Sequence, residues 1–357
     1  MKQRLLSIDI LRGLTIILMI VVNSPGTWEH VAAPLCHSAW NGLTLADTIF
    51  PCFMFIMGMT TYISLRKYGF RLSSALMLKI MRRTLVLYLL GLLVNWTAAG
   101  LPGIHDLRVM GVLQRFAITY LVVSLIGAVV PLRRIPYIAV ALLAFYAVLL
   151  LAFNGYAHDE SSLLSIVDRA CLGSNMMNDG GIDPEGILST IPSLAHVMIG
   201  YCVGATAMSD ISLKDKLLTM TQWGIAMLFM GLLADCFLPI NKKVWSPTFV
   251  LATCGISLLA LVLLAILIDV RKARMPKKVF LVFGMNPLVC YVLGELSYAA
   301  FYLVHIYGVT AQEYFYWAFA ALIGDNMLAS FVSAMALTAI VGLVGAALYA
   351  KRVFVKI

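Results

Sequence analysis

Apolar runs of about 20 residues, long enough to cross roughly 30 Å of hydrocarbon, follow one another along this chain with short polar interruptions. The pattern places them at residues 5–24, 44–65, 80–98, 109–130, 136–154, 189–208, 216–238, 247–269, 279–300 and 327–350. Another stretch, 311–324, is aromatic-rich and short, so it is expected to lie at the interface or to re-enter the membrane. The fold class that follows is all-α, a polytopic helical bundle of about ten membrane spans, or eleven if 311–324 crosses. No internal repeat is visible and no room is left for a soluble domain, so residues 1–357 are read as a single transmembrane domain.

Charge gives the bundle an orientation. Only 12% of the residues are charged, against about 25% in soluble domains. The 26 Lys and Arg outnumber the 17 Asp and Glu, but they cluster in alternate loops: Arg66 to Arg83, Arg133 and Arg134, Arg271 to Lys278, and Lys351 with Arg352. The positive-inside bias puts those loops, and both termini, in the cytoplasm. The pattern is that of a protein surrounded by membrane lipid and gives nucleic acid no basic surface to bind. The segment before residue 44 and the acidic, Asn- and Gly-rich segment 155–188 then face outward. Lys242 and Lys243, in PINKKVWSP, also fall on the outer side, against the rule, which invites a functional reading. Lys2 and Arg4 before the first apolar run mimic a signal peptide. Asp9 and Arg12 interrupt that run, and no small-x-small site follows Val22, so an uncleaved first span is expected. The seven cysteines show no CxxC and no Cys/His ligand spacing, so no metal site is expected. Cys36 and Cys171 lie on one predicted side, which leaves a disulfide between them open.

Residues 36–58, CHSAWNGLTLADTIFPCFMFIMG, carry the most chemistry. A polar turn with His37, Trp40, Asn41 and Gly42 runs directly into an apolar helix. Asn-Gly is a turn dipeptide, and Thr44 with Asp47 resembles a capping box. His37 therefore sits just outside a helix N-terminus, about one turn from the membrane surface. There it is wet enough to meet a polar substrate and near enough to lipid to be shielded. His30 is its competitor; His196 and His305 read as ordinary membrane or interfacial histidines.

Ionisable groups inside spans are costly and point to function by default. Asp9 and Arg12, one turn apart, can pair on one helix face, as structure or as function. Arg108, Gly111 and Arg115 share a face, with Gln114 beside it. Arg115 lies deeper and needs an anionic partner, either a carboxylate such as Asp47 or Asp9, or a ligand. Capping alone would explain Asp47. Asn286, in FGMNPL, and Glu295 two turns later also fit as packing glue between helices.

The motifs LSIDILRGLTIILMIVVN, HSAWNGLTLADTIFPCFMFIMG, RVMGVLQRFAITY, DPEGILSTIPS, KKVWSPTFV and FGMNPLVCYV, in this order, resemble the heparan-α-glucosaminide N-acetyltransferase family, including its bacterial members, among the wider transmembrane acyltransferases. The resemblance covers almost the whole chain. It implies that acetyl-CoA is supplied from the cytoplasm and that its acetyl group passes across the membrane to the amine of a glucosamine-type sugar or glycan terminus. The family's active-site histidine precedes the Trp-Asn-Gly turn, which is His37 here. The same resemblance implies Asn23 and Asp47 as its catalytic partners. It makes Arg115 and Asn286 candidates on the acyl-donor side and Asp183, Glu185 and Trp245 on the acceptor side; Arg12 and Gln114, polar groups within spans, join the donor set, and Trp40 and Asn41 of the His37 turn join the acceptor set. It also implies a homodimer. Likeness to the bacterial members, without the luminal domain of the lysosomal ones, implies an inner membrane and a periplasmic acceptor.

The residues suit that chemistry. Acyl transfer from a thioester to an amine needs a base for the amine proton, a donor for the tetrahedral oxyanion and a place for negative charge. Histidine serves the first need, and Asn23 or Asn41 the second. His37 is expected to act as general base in direct transfer, or as an acetylated intermediate. O-acetylation of a surface polysaccharide needs the same groups. A sugar transporter or flippase using the buried charges as a relay is the alternative from another class.

Overall fold

Two helices packed nearly backbone to backbone form the centre of the molecule. They are α2 (Leu45–Arg66) and α7 (Thr190–Met208). A Cβ on Gly58 would lie 2.1 Å from the Val197 carbonyl oxygen, and one on Gly200 would lie 2.2 Å from that of Phe55. Only glycine permits this approach, and small residues are how helices gain contact where lipid supplies no hydrophobic drive. The computed structural model of the chain describes residues 5–355 except 102, 104, 105, 178 and 275; Lys2 and Arg4 lie outside them.

Around the central pair run α1 (Leu6–Asn23), α3 (Ser74–Ala98), α4 (Val112–Val129), α5 (Ile135–Ala152), α8 (Leu213–Ala234), α9 (Pro247–Ala265) and α13 (Met327–Ala350). Most positions of α1, α2, α4, α7 and α9 are buried, whereas most positions of α5, α8 and α13 are not, and many of their exposed side chains are apolar. The first group is the protein core and the second its lipid-facing wall. Eight helices are long and apolar enough to cross a membrane, and a bent pair makes a ninth. Helix α3 has 25 residues, length enough for a tenth crossing at about 1.5 Å per residue; Lys79, Arg82 and Arg83 lower its apolar character.

The bent pair is where sequence and structure differ. Residues 279–300 read as one straight span, but α10 (Lys277–Met285) and α11 (Pro287–Leu303) meet at 84°. Pro287 disfavours the helical region for the residue before it, and Asn286 sits at φ −126°, ψ 52°. Residues 311–324 behave as their length predicts. A hairpin of β1 (His305–Ile306) and β2 (Val309–Thr310) leads into α12 (Ala311–Ile323), whose 13 residues are too few to cross. The segment 155–188 contains an unforeseen short helix, α6 (Leu163–Leu172). Cys36 and Cys171 are both free thiols.

Candidate active site

The capping box at the head of α2 forms as its residue types dictate, and it does more than end a helix. Thr44 Oγ1 accepts from Asp47 N, while one Asp47 oxygen accepts from the backbone N–H groups of Ser38 and Thr44, each at 3.1 Å, and from the Thr44 hydroxyl at 3.0 Å. The other Asp47 oxygen lies 2.8 Å from His37 Nδ1. Asp47 is fully buried, and the His37 side chain is 44% exposed. With Nδ1–H donated to the carboxylate, Nε2 carries the lone pair of the ring.

A third member arrives from far along the chain. Lys242 Nζ lies 3.0 Å and 3.2 Å from the two ring nitrogens of His37 and 3.6 Å from Asp47 Oδ1. Burial holds its ammonium below the usual lysine range, although Asp47 and Glu185 pull it back up. The loop between α8 and α9 that carries it is tied to the His37 turn. Gly42 N donates to the Ile240 carbonyl at 2.8 Å, and Asn241 Nδ2 donates to Asn41 Oδ1 at 3.1 Å. Asn41 thus joins two loops. The neighbouring Lys243 pairs with Asp179 at 2.8 Å. Trp40 stacks on His158, centroids 4.1 Å apart, and donates its indole N–H to the Tyr156 carbonyl.

Below this cluster lies a cavity of roughly 240 Å³, lined by His37, Asn23, Lys242, Glu185, Asp179 and Met19, among others. On the far side of Met19 a second cavity, of roughly 250 Å³, reaches Arg12, Arg83 and Tyr291. Met19 forms part of the wall of both, so a single side chain of α1 is common to the two chambers. Arg83 stacks over the Tyr120 ring at 4.3 Å, and its buried Nε has no hydrogen-bond partner.

The remaining sequence candidates fall into separate groups. Arg108 grips Asp183 with two hydrogen bonds, Nε at 3.1 Å and Nη2 at 2.5 Å, and Nη2 also reaches Glu185 at 2.5 Å. Burial raises the Glu185 carboxyl, but Arg108 outweighs it and holds the group below its ordinary value; the two acids hold Arg108 above its own. Arg115 is buried, donates to the Pro184 carbonyl and the Ser189 hydroxyl, and lies 4.8 Å from the Trp245 ring. Its partners among the described residues are backbone, hydroxyl and indole, not the carboxylates of Asp47 or Asp9. Gln114 is buried against Gly91 of α3. Arg12 lines the second cavity, pairs with Asp9 at 3.0 Å and donates to the Gly284 carbonyl. Asn286 donates to the Val353 carbonyl at 3.0 Å and accepts from Val355 N at 2.8 Å, so it holds the C-terminal segment whose Val355 borders that cavity. His30 pairs with Asp325 and lines a different, smaller cavity, and His196 is buried against Trp245; His105 lies outside the described residues. Among the described residues no group of His, Cys, Asp and Glu has the makings of a metal site.

Fold and site together define a polytopic helical membrane protein with a His–Asp–Lys cluster at one end of a two-chambered interior. Residues 4–234, well over half of the 357, match the family model described as heparan-alpha-glucosaminide N-acetyltransferase, catalytic, and the chain belongs to that family. It is similar to the heparan-alpha-glucosaminide N-acetyltransferases of Mus musculus and Homo sapiens, each at 27% identity. Those alignments cover 82% and 83% of this chain, and 54% and 53% of the relatives. The chain therefore spans about half the length of the curated relatives it matches.

Lys242 is the functional candidate that sequence reasoning did not assign; its only signal was a lysine on the wrong side of the membrane. Met19 gave no signal at all, being one apolar residue in an apolar helix.

Proposed function

We propose that the chain is a transmembrane acetyltransferase, moving the acetyl group of acetyl-CoA from the inner cavity to the amine of a glucosamine-type sugar or glycan terminus in the outer one. The observation that carries this reading is the pair of cavities meeting at Met19, with His37 in one and Arg12 and Arg83 in the other. The names of the two relatives support the reaction and the acceptor class. The inner cavity fits an anionic donor with an apolar arm: its walls are largely apolar, and the Arg83 guanidinium on them supplies the positive charge a phosphate would pair with.

In the direct route the amine nitrogen bonds to the acyl carbon as its proton passes to His37 Nε2, and the C–S bond breaks to release the thiolate. Asp47 keeps Nδ1 protonated and the ring in place. Asn23, which lines the outer cavity, offers an N–H to the oxyanion, and Lys242 adds positive charge beside it. Direct transfer is preferred over an acetyl-histidine because a single positioned attack suffices. The basic loops put the inner cavity on the cytoplasmic side with both termini, and the His37 turn on the periplasmic face of an inner membrane. The whole chain serves as one catalytic domain in lipid, and the assembly is a homodimer.

The test is transfer of label from acetyl-CoA to glucosamine by purified protein in nanodiscs. His37→Ala is expected to lower the rate by about 10² or more. Transfer at the wild-type rate in His37→Ala overturns the assignment of the base. Ion-coupled sugar uptake without acetyl-CoA dependence favours a transporter, and ester rather than amide product favours O-acetylation. Label held on the protein without acceptor favours the acetyl-histidine route.

A further inference from the structure

Glu295 is a carboxylate in the membrane interior that the reaction above leaves unused. Helix α11 brings it to α1, and Gly294 beside it makes the approach possible. A Cβ on Gly294 would come 2.9 Å from Ile20 Cγ1. The result is a bond from Asn23 Nδ2 to Glu295 Oε1 at 2.7 Å, between residues 272 positions apart. Among the described residues no cation forms an ion pair with Glu295, and on its own helix the phenol of Tyr291 faces it from one turn back. A partly buried carboxylate with an amide for its partner is costly in a membrane, so its retention calls for a reason beyond helix adhesion.

The position supplies one. Asn23 lines the outer cavity and Tyr291 lines the inner one. Asn23 follows Met19 by one helical turn on α1, so the Asn23–Glu295 bond lies beside the wall between the chambers, where an acyl carbon would pass. An unrestrained asparagine can present either end of its amide and has two N–H donors. Donation of one N–H to a carboxylate is charge-assisted. It turns the NH₂ end towards α11 and leaves the second N–H to the cavity.

We infer that Glu295 is a positioning residue for acyl transfer: it orients the Asn23 amide so that its remaining N–H meets the oxyanion. This rests on the acetyl-transfer reading. Glu295 touches neither substrate, so its whole effect must pass through Asn23.

The test is a double-mutant cycle on the full chain in nanodiscs, with labelled acetyl-CoA and glucosamine as substrates. Asn23→Ala and Glu295→Ala should each lower kcat by about tenfold or more and leave both KM values within about twofold, as expected for a lost oxyanion donor. The double variant should be no slower than Asn23→Ala alone, because coupled residues do not add. Glu295→Gln keeps an oxygen acceptor at the same reach and should recover most of the rate; being isosteric, it also keeps the test valid if the alanine variant folds poorly. Wild-type kcat in Glu295→Ala, losses that multiply in the double variant, or a glutamine variant as slow as the alanine one would each overturn the inference while the acetyl-transfer reading survives. Absence of transfer by the wild type overturns both.

Discussion

Asp47 shows two demands met by one side chain. Its backbone bonds close the cap of α2, and its second oxygen fixes the His37 ring at 2.8 Å. The two can be separated by substitution. Asp47→Asn keeps an oxygen acceptor and should cost little stability, but it loses the carboxylate that orders the Nδ1–H tautomer. Its transfer rate is expected to fall by about 10²-fold or more, as for other triad-like sites. Asp47→Ala should lose the rate and, in addition, about 1 kcal/mol of stability with the cap; chemical denaturation alongside the transfer assay checks both. The local half of this site was legible in the sequence, because a capping box and an Asn-Gly turn are short-range chemistry. Lys242 was not: it meets His37 across 205 positions, and no periodicity encodes such a meeting.

The segment 173–189 is held to the start of α4 by Arg108, which is tied to Asp183 and Glu185. Asp183 is fully buried, so Arg108→Ala leaves an uncompensated charge and should destabilise the protein by about 3 kcal/mol or more. Glu185 adds a pH dependence with a definite sign. Its carboxyl titrates below the ordinary 4.5 in the folded protein. The stability it contributes is therefore complete above that value and is lost as the pH falls through the lowered one. Melting temperatures of wild type and Glu185→Gln should diverge above pH 4.5 and converge in acid; parallel curves across the range would contradict the clamp. The elements themselves were largely legible, since hydrophobic run length decides spans. The 84° break at Asn286 was not, because an Asn-Pro pair is tolerated in straight, kinked and broken spans alike, and the neighbours decide. Those neighbours are Val353 and Val355, which take both ends of the Asn286 amide.

At the scale of the whole molecule, α1 is the element on which both chambers depend: it brings Arg12 to one, Asn23 to the other and Met19 to their common wall. Met19→Trp should fill the junction and leave both mouths intact. Transfer from acetyl-CoA to glucosamine is expected to fall by about 10²-fold, the scale of a small misplacement of reacting atoms, while calorimetric binding of CoA persists. Equal loss of binding and transfer would show that the indole had closed the inner chamber itself. A methionine here also has an electrical meaning. An energised membrane stores work as ion gradients, and a water-filled bore through this protein would discharge them with every turnover. Because Met19 alone among the described residues lines both chambers, the proposed transfer would leave the bilayer insulating, a two-carbon fragment crossing without its carrier and without a proton wire.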